Sequence, residues 1–205
     1  KAWNINTEEL KIELDKLVLD HDSITPYLHT YYAGPLVEGG KTKAVFIENK
    51  DGRQAIRAKV FVDATGDGDL SKDIGIPFII REGLQPPSTC AKIQGLPGMG
   101  SPGSRNIQAL MKEHGKEFGL VRDQGWGAYI PGGSGVNMYA RTHVFNTNAC
   151  DARQLTAAEI EGRRQIRAYM DIARKYGGEA NSPTLLDVSS YIGIRETRSF
   201  KANYT

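Results

Sequence analysis

Val60-Phe61-Val62-Asp63-Ala64-Thr65-Gly66-Asp67-Gly68-Asp69 is the stretch that decides how this chain is read. Four of its first five residues are apolar or small. A continuous apolar run, rather than an alternation, is the pattern of a buried parallel strand. The run then breaks into Thr-Gly-Asp-Gly, which leaves bare backbone at the carboxyl edge of a sheet. Open α/β folds bind ligands along that edge. Glycine there lets a phosphate or ribose approach the main chain, because no Cβ intervenes. The stretch therefore predicts a buried strand, a tight turn and a nucleotide cofactor beside it.

Working outward, two turn signals precede the run: Glu38-Gly39-Gly40 and Asn49-Lys50-Asp51-Gly52. They separate three β-rich runs, 31–37, 43–48 and 54–62, which together predict a β-meander. Upstream, residues 24–32 read as a strand. Leu10, Leu14, Leu17 and Val18 fall on one face of a helix over 7–20, capped by Asn6 or Thr7. Downstream, a short helix over 70–74 should close at Gly75, with Pro77 preventing continuation.

Beyond residue 77 the character shifts to prolines and glycines. A helix is expected from Asn106 to His114, capped by Ser104, with strands near 129–131 and 136–144. Thr156-Ala157-Ala158-Glu159 fits a capping box and predicts a helix from there to Tyr176. Ile166, Tyr169, Met170, Ala173 and Tyr176 form its apolar face. Arg163, Arg164, Arg167 and Arg174 lie off it. A last strand is expected over 190–200.

Composition narrows the function classes. The chain has 205 residues, net charge +2 and no apolar run long enough to span a membrane. Its lysines and arginines form no stripe, which argues against nucleic acid. Two isolated cysteines, Cys90 and Cys150, suit a reducing, cytoplasmic compartment and form no disulfide framework. The four histidines have no metal-ligand spacing. His143 is a candidate proton donor to a substrate, set against the plainer reading of a surface histidine. Gly98-Met99-Gly100-Ser101-Pro102-Gly103 fits Gly-x-Gly-x-x-Gly, but Pro97 breaks the strand that must precede it. It reads as a loop.

Three separated segments carry a family resemblance: Ala58 to Leu70 with its Ala64-Thr65-Gly66, Leu155 to Gln165, and Ile192-Gly193-Ile194-Arg195-Glu196-Thr197-Arg198. Together and in this order they resemble FAD-dependent oxidoreductases with a glutathione-reductase-type flavin domain, some of which carry the label xanthan lyase. The resemblance implies an α/β fold of mixed α+β character: a partial FAD/NAD(P)-binding domain with a β-meander, plus a substrate domain with a mixed sheet and a long helix. It implies flavin-domain residues 1–76, a substrate domain over 77–190 and a return strand over 191–205. It places Ala64, Thr65, Gly66, Asp67 and Gly68 beside the cofactor. It places Arg195 and Arg198 near flavin and substrate, where a guanidinium fork suits a carboxylate or flavin oxygens, with structural ion pairs as the plainer reading.

The resemblance also implies hydride transfer between FAD and a small-molecule substrate. One departure stands out: a strand with Gly-x-Gly-x-x-Gly ahead of the first helix is missing. The expectation is therefore a fragment that binds FAD weakly or not at all, is inactive alone, and can self-associate through a truncated sheet edge. The alternative is a non-catalytic binding module, such as a carbohydrate-directed one, that reuses the fold.

Overall fold

The computed structural model describes residues 5–96, 106–121, 126–133, 135–178 and 183–201. The fold is mixed α/β, with antiparallel sheets and one long helix. The chain divides into two compact units: Lys11–Glu82 with Thr197–Thr205, and Gly83–Glu196 with Lys1–Leu10.

The first unit is organised by the meander. Strands β1 (Tyr31–Glu38), β2 (Lys41–Asn49) and β3 (Gly52–Arg57) pair antiparallel in the order β1-β2-β3. Its turns are local chemistry. Gly39 and Gly40 both take positive φ, at 57° and 72°, as the tight hairpin requires. The Asp51 N–H donates to the Asn49 side chain at 2.9 Å. Ala44 and Ile47 of β2 are buried. Helix α2 (Asp69–Asp73) follows the turn and docks near β1, where the Tyr32 hydroxyl donates to Asp73 at 3.1 Å. Strand β4 (Phe78–Ile80) pairs with β9 (Arg198–Phe200), Phe78 opposite Phe200. Helix α1 (Thr7–Leu19) is capped by Asn6, whose side chain accepts from the Glu8 N–H at 3.1 Å.

The second unit holds the main core. Its sheet runs β6 (Trp126–Tyr129), β7 (Val136–Ala140), β5 (Ala91–Gln94), β8 (Thr184–Val188), all antiparallel. Helices α3 (Ile107–His114) and α4 (Ala152–Tyr176) supply the rest of that core. Ile93, Tyr139, Leu110, Ile166, Tyr169, Met170 and Ile172 are fully buried. Each such side chain stabilises the fold by roughly 1.5–3 kcal/mol relative to exposure. Tyr139 and Tyr169 meet edge to face, with ring centroids 5.0 Å apart.

Several expectations need correction. Residues 58–62 are not a strand, and Val60 and Val62 are 76% and 85% exposed. An apolar run becomes a buried strand only between neighbours, and no described strand pairs with it. The strand expected over 24–32 begins only at Tyr31. The helical stripe Leu10, Leu14, Leu17 exists on α1 but faces solvent.

Helix α4 starts four residues before the expected capping box. Asp151 is its cap, accepting from the Gln154 N–H at 2.8 Å. Thr156 lies inside the helix, bonded to the Ala152 carbonyl at 2.7 Å. Glu159 serves a distant backbone N–H, that of Ile192. Helix α3 is capped by Asn106. Ser104 and the 98–103 loop lie outside the described residues. Strand β7 stops at Ala140, and the last strand is only Arg198–Phe200.

Candidate functional site

The turn after residue 62 is held by one carboxylate. One oxygen of Asp63 accepts from the Thr65 N–H (3.2 Å) and the Thr65 hydroxyl (2.8 Å). The other accepts from the Ser71 N–H (2.8 Å) and the Ser71 hydroxyl (2.7 Å). Burial pushes the acid's pKa up, but these four donors outweigh it and bring it down to about 2. Thr65 Oγ1 then accepts from the Asp69 N–H at 2.9 Å, so the loop is fastened to the start of α2.

The two glycines differ in kind. Gly66 has φ +87°, and nothing lies within 4 Å of where a Cβ would stand. Ala64, Thr65 and Gly66 are exposed, so their main chain is open to a ligand. Gly68, at φ +67°, is closed: a Cβ would fall 2.2 Å from the Phe200 ring. Its glycine serves packing. Arg198 secures the same loop from β9, donating to the Asp67 carbonyl (2.9 Å) and the Asp69 carboxylate (2.7 Å). Its side chain is 9% exposed and lies over the Phe78 ring. An open cleft of about 690 Å³ beneath the turn is lined by Lys41, Lys43, Lys59, Phe61, Asp63 and Ser71, among others.

Arg195 belongs to the other unit. Its Nη2 donates to Ser88 Oγ at 2.9 Å. Cys90 lies in the same unit. The fold supplies Arg195 there, and its charge partly offsets the rise that burial imposes on the thiol. No local signal links these residues, since 107 positions separate Ser88 from Arg195.

His143 follows β7 in an irregular segment. The cause is Thr142, whose hydroxyl accepts from the Thr89 N–H (2.7 Å) and donates to the Thr89 carbonyl (3.0 Å), in place of ladder bonds. The His143 ring is oriented by Nδ1 donating to the Arg141 carbonyl at 3.0 Å and by stacking on Phe145. Its backbone is gripped on both sides by the Gln165 amide of α4.

Neither Cys90 nor Cys150 forms a disulfide. No cluster of metal-ligating side chains occurs among the described residues, and no described helix is long and apolar enough to cross a membrane.

A family model described as FAD dependent oxidoreductase matches residues 2–205. No curated protein and no solved structure matches the chain. The match spans nearly the whole sequence, so the chain belongs to the FAD-dependent oxidoreductase family and is an enzyme of that class.

Proposed function

We propose that this chain supplies the meander half of a flavin domain together with a substrate domain, and that a small organic substrate exchanges hydride with FAD. The observation that carries this reading is the Asp63 turn. Four donors converge on one carboxylate, and the result holds an exposed backbone loop open at Gly66. That geometry fits a ribose or pyrophosphate. FAD, when bound, supplies the hydride chemistry, and the protein supplies orientation and electrostatics.

Ala64, Thr65 and Gly66 would border the adenosine-pyrophosphate half, while Asp67 and Gly68 hold the loop's far side. Arg198 acts as a positioning residue, since its donors already serve Asp67 and Asp69. Arg195 and His143 are assigned to the substrate side. In this reading the flavin part follows the unit Lys11–Glu82 with Thr197–Thr205 and the substrate part the unit that holds Gly83–Glu196, so that residues 191–196, expected from the sequence on the flavin side, go with the substrate part.

The exposed Val60 and Val62 support a split site. An exposed apolar segment of this kind is one that another segment would cover. Alone, the chain is therefore expected to hold FAD weakly and to turn over no substrate. A titration of FAD followed by flavin fluorescence tests the reading. The expected result is a weak, unsaturated change that Gly66→Val abolishes, because valine is strained at φ +87° and fills the open approach. Stoichiometric retention of flavin through gel filtration would overturn the split site. An identical response in both proteins would overturn the assignment of the turn.

A further inference from the structure

The geometry points to an anion subsite built on Arg195, which takes a carboxylate group of the substrate beside the Cys90 thiol. It rests on reading the 83–196 unit as the one that receives substrate. The segment presenting Arg195 is clamped at three places. The Ile192 N–H donates to Glu159 at 2.6 Å. Gly193 exchanges two backbone bonds with Ser88, at 3.0 and 2.8 Å. Glu196 accepts from the Gln85 N–H at 3.0 Å. A Cβ at Gly193 would stand 3.2 Å from the Ser88 carbonyl, so the bridge is a close approach.

Proton accounting then fixes what Arg195 is doing. Ser88 is 2% exposed, and its single hydroxyl proton goes to the Thr142 carbonyl. Towards Arg195 it can only accept. The guanidinium is thus oriented by a neutral oxygen rather than by a carboxylate. Among the described residues no carboxylate lies within ion-pair distance of Arg195, Arg57, Arg81 or Arg153, and of these four only Arg195 has its guanidinium held by a buried hydroxyl. Lys92, two residues beyond Cys90, is already compensated by Glu8 and Asp187. A fixed fork with donors to spare matches a carboxylate in two-pronged fashion. The Cys90 thiol is partly exposed and follows by two residues the Ser88 that holds this guanidinium.

The Cys90 thiol allows a test on this chain without flavin. Iodoacetate and iodoacetamide alkylate a thiolate by the same displacement of iodide and differ in charge. The ratio of their rates is read by mass spectrometry at Cys90, with a neutral small thiol, 2-mercaptoethanol, as the reference. The expected ratio at Cys90 exceeds that of the small thiol by about fivefold, the worth of one solvent-screened ion pair. It falls as salt rises. Arg195→Gln brings it down to the small-thiol value, Arg195→Lys keeps most of it, and succinate slows alkylation of Cys90 in the unaltered chain.

A ratio at Cys90 equal to that of the small thiol, or a Cys90 preference unmoved by salt or by Arg195→Gln, would overturn the subsite. The salt series needs no variant, so a variant that misfolds leaves the idea exposed to refutation. The readout is independent of the FAD titration: a chain that binds flavin but shows no preference sinks the subsite alone.

Discussion

Replacing Asp63 with Asn tests whether one carboxylate holds the 63–71 loop. Asparagine keeps the shape but offers a single acceptor oxygen. Whichever way its amide is turned, one pair of donors, from Thr65 or from Ser71, meets an NH2 group instead. A hydroxyl can rotate to accept, but the backbone N–H beside it cannot. The magnitude follows from the carboxylate's acidity. Its pKa falls from 3.8 to about 2 on folding. At about 1.36 kcal/mol per tenfold change in proton affinity, the full effect is roughly 2 kcal/mol. Asp63 is partly in solvent, and screening reduces this to about 1 kcal/mol.

The sign with pH is fixed. A depressed acid stabilises the fold above its unfolded value of 3.8, and that contribution disappears as pH falls towards 2. Urea unfolding of both proteins between pH 7 and pH 2.5 checks this. Asp63→Asn should be less stable by about 1 kcal/mol at pH 7, and the gap should shrink below pH 4. All other carboxylates titrate in both proteins, so the difference isolates Asp63. A gap that is absent at pH 7, or unchanged down to pH 2.5, would refute the reasoning.

Two further outcomes are expected. Gly162 of α4 packs on Thr89, where an added Cβ would stand 2.0 Å from the Thr89 hydroxyl. Gly162→Ala should therefore destabilise by about 1–3 kcal/mol through overpacking, despite the gain of about 1 kcal/mol that alanine brings to a helix interior. A melting temperature that rises would show that the helix yields at little cost. Asp151→Ala should remove the cap of α4 and cost about 1 kcal/mol, while Thr156→Ala should cost less than about 0.5 kcal/mol. The reverse order in chemical denaturation would restore Thr156 as the start of the helix.

What the sequence revealed and what it hid divide along the range of the interactions. The meander was legible because its turns are decided within four residues: Gly39, Gly40 and Gly52 take positive φ, and Asn49 folds back on Asp51. The face of α4 was legible because period alone selects Ile166, Tyr169, Met170 and Ala173. The start of that helix was not, because Asp151-x-x-Gln154 and Thr156-x-x-Glu159 are both sound local caps. The contest is settled by Ile192, whose N–H claims the Glu159 carboxylate from 33 residues away.

Val60 and Val62 show the same limit in the opposite sense. Their apolarity is a local fact, but burial belongs to whatever lies alongside. The site follows this rule too. Residues 63–69 announced themselves, since a glycine-rich turn is a local signal, and even Asp63 and Thr65 lie within reach of an ordinary side-chain turn. Arg195 was named by the family resemblance, but how it is held was not legible. Its meaning depends on Ser88 having spent its only proton on Thr142, a three-way arrangement drawn from positions 88, 142 and 195 that no local pattern encodes. A charge oriented in this way is a property of the fold, and the proposed subsite stands or falls with it.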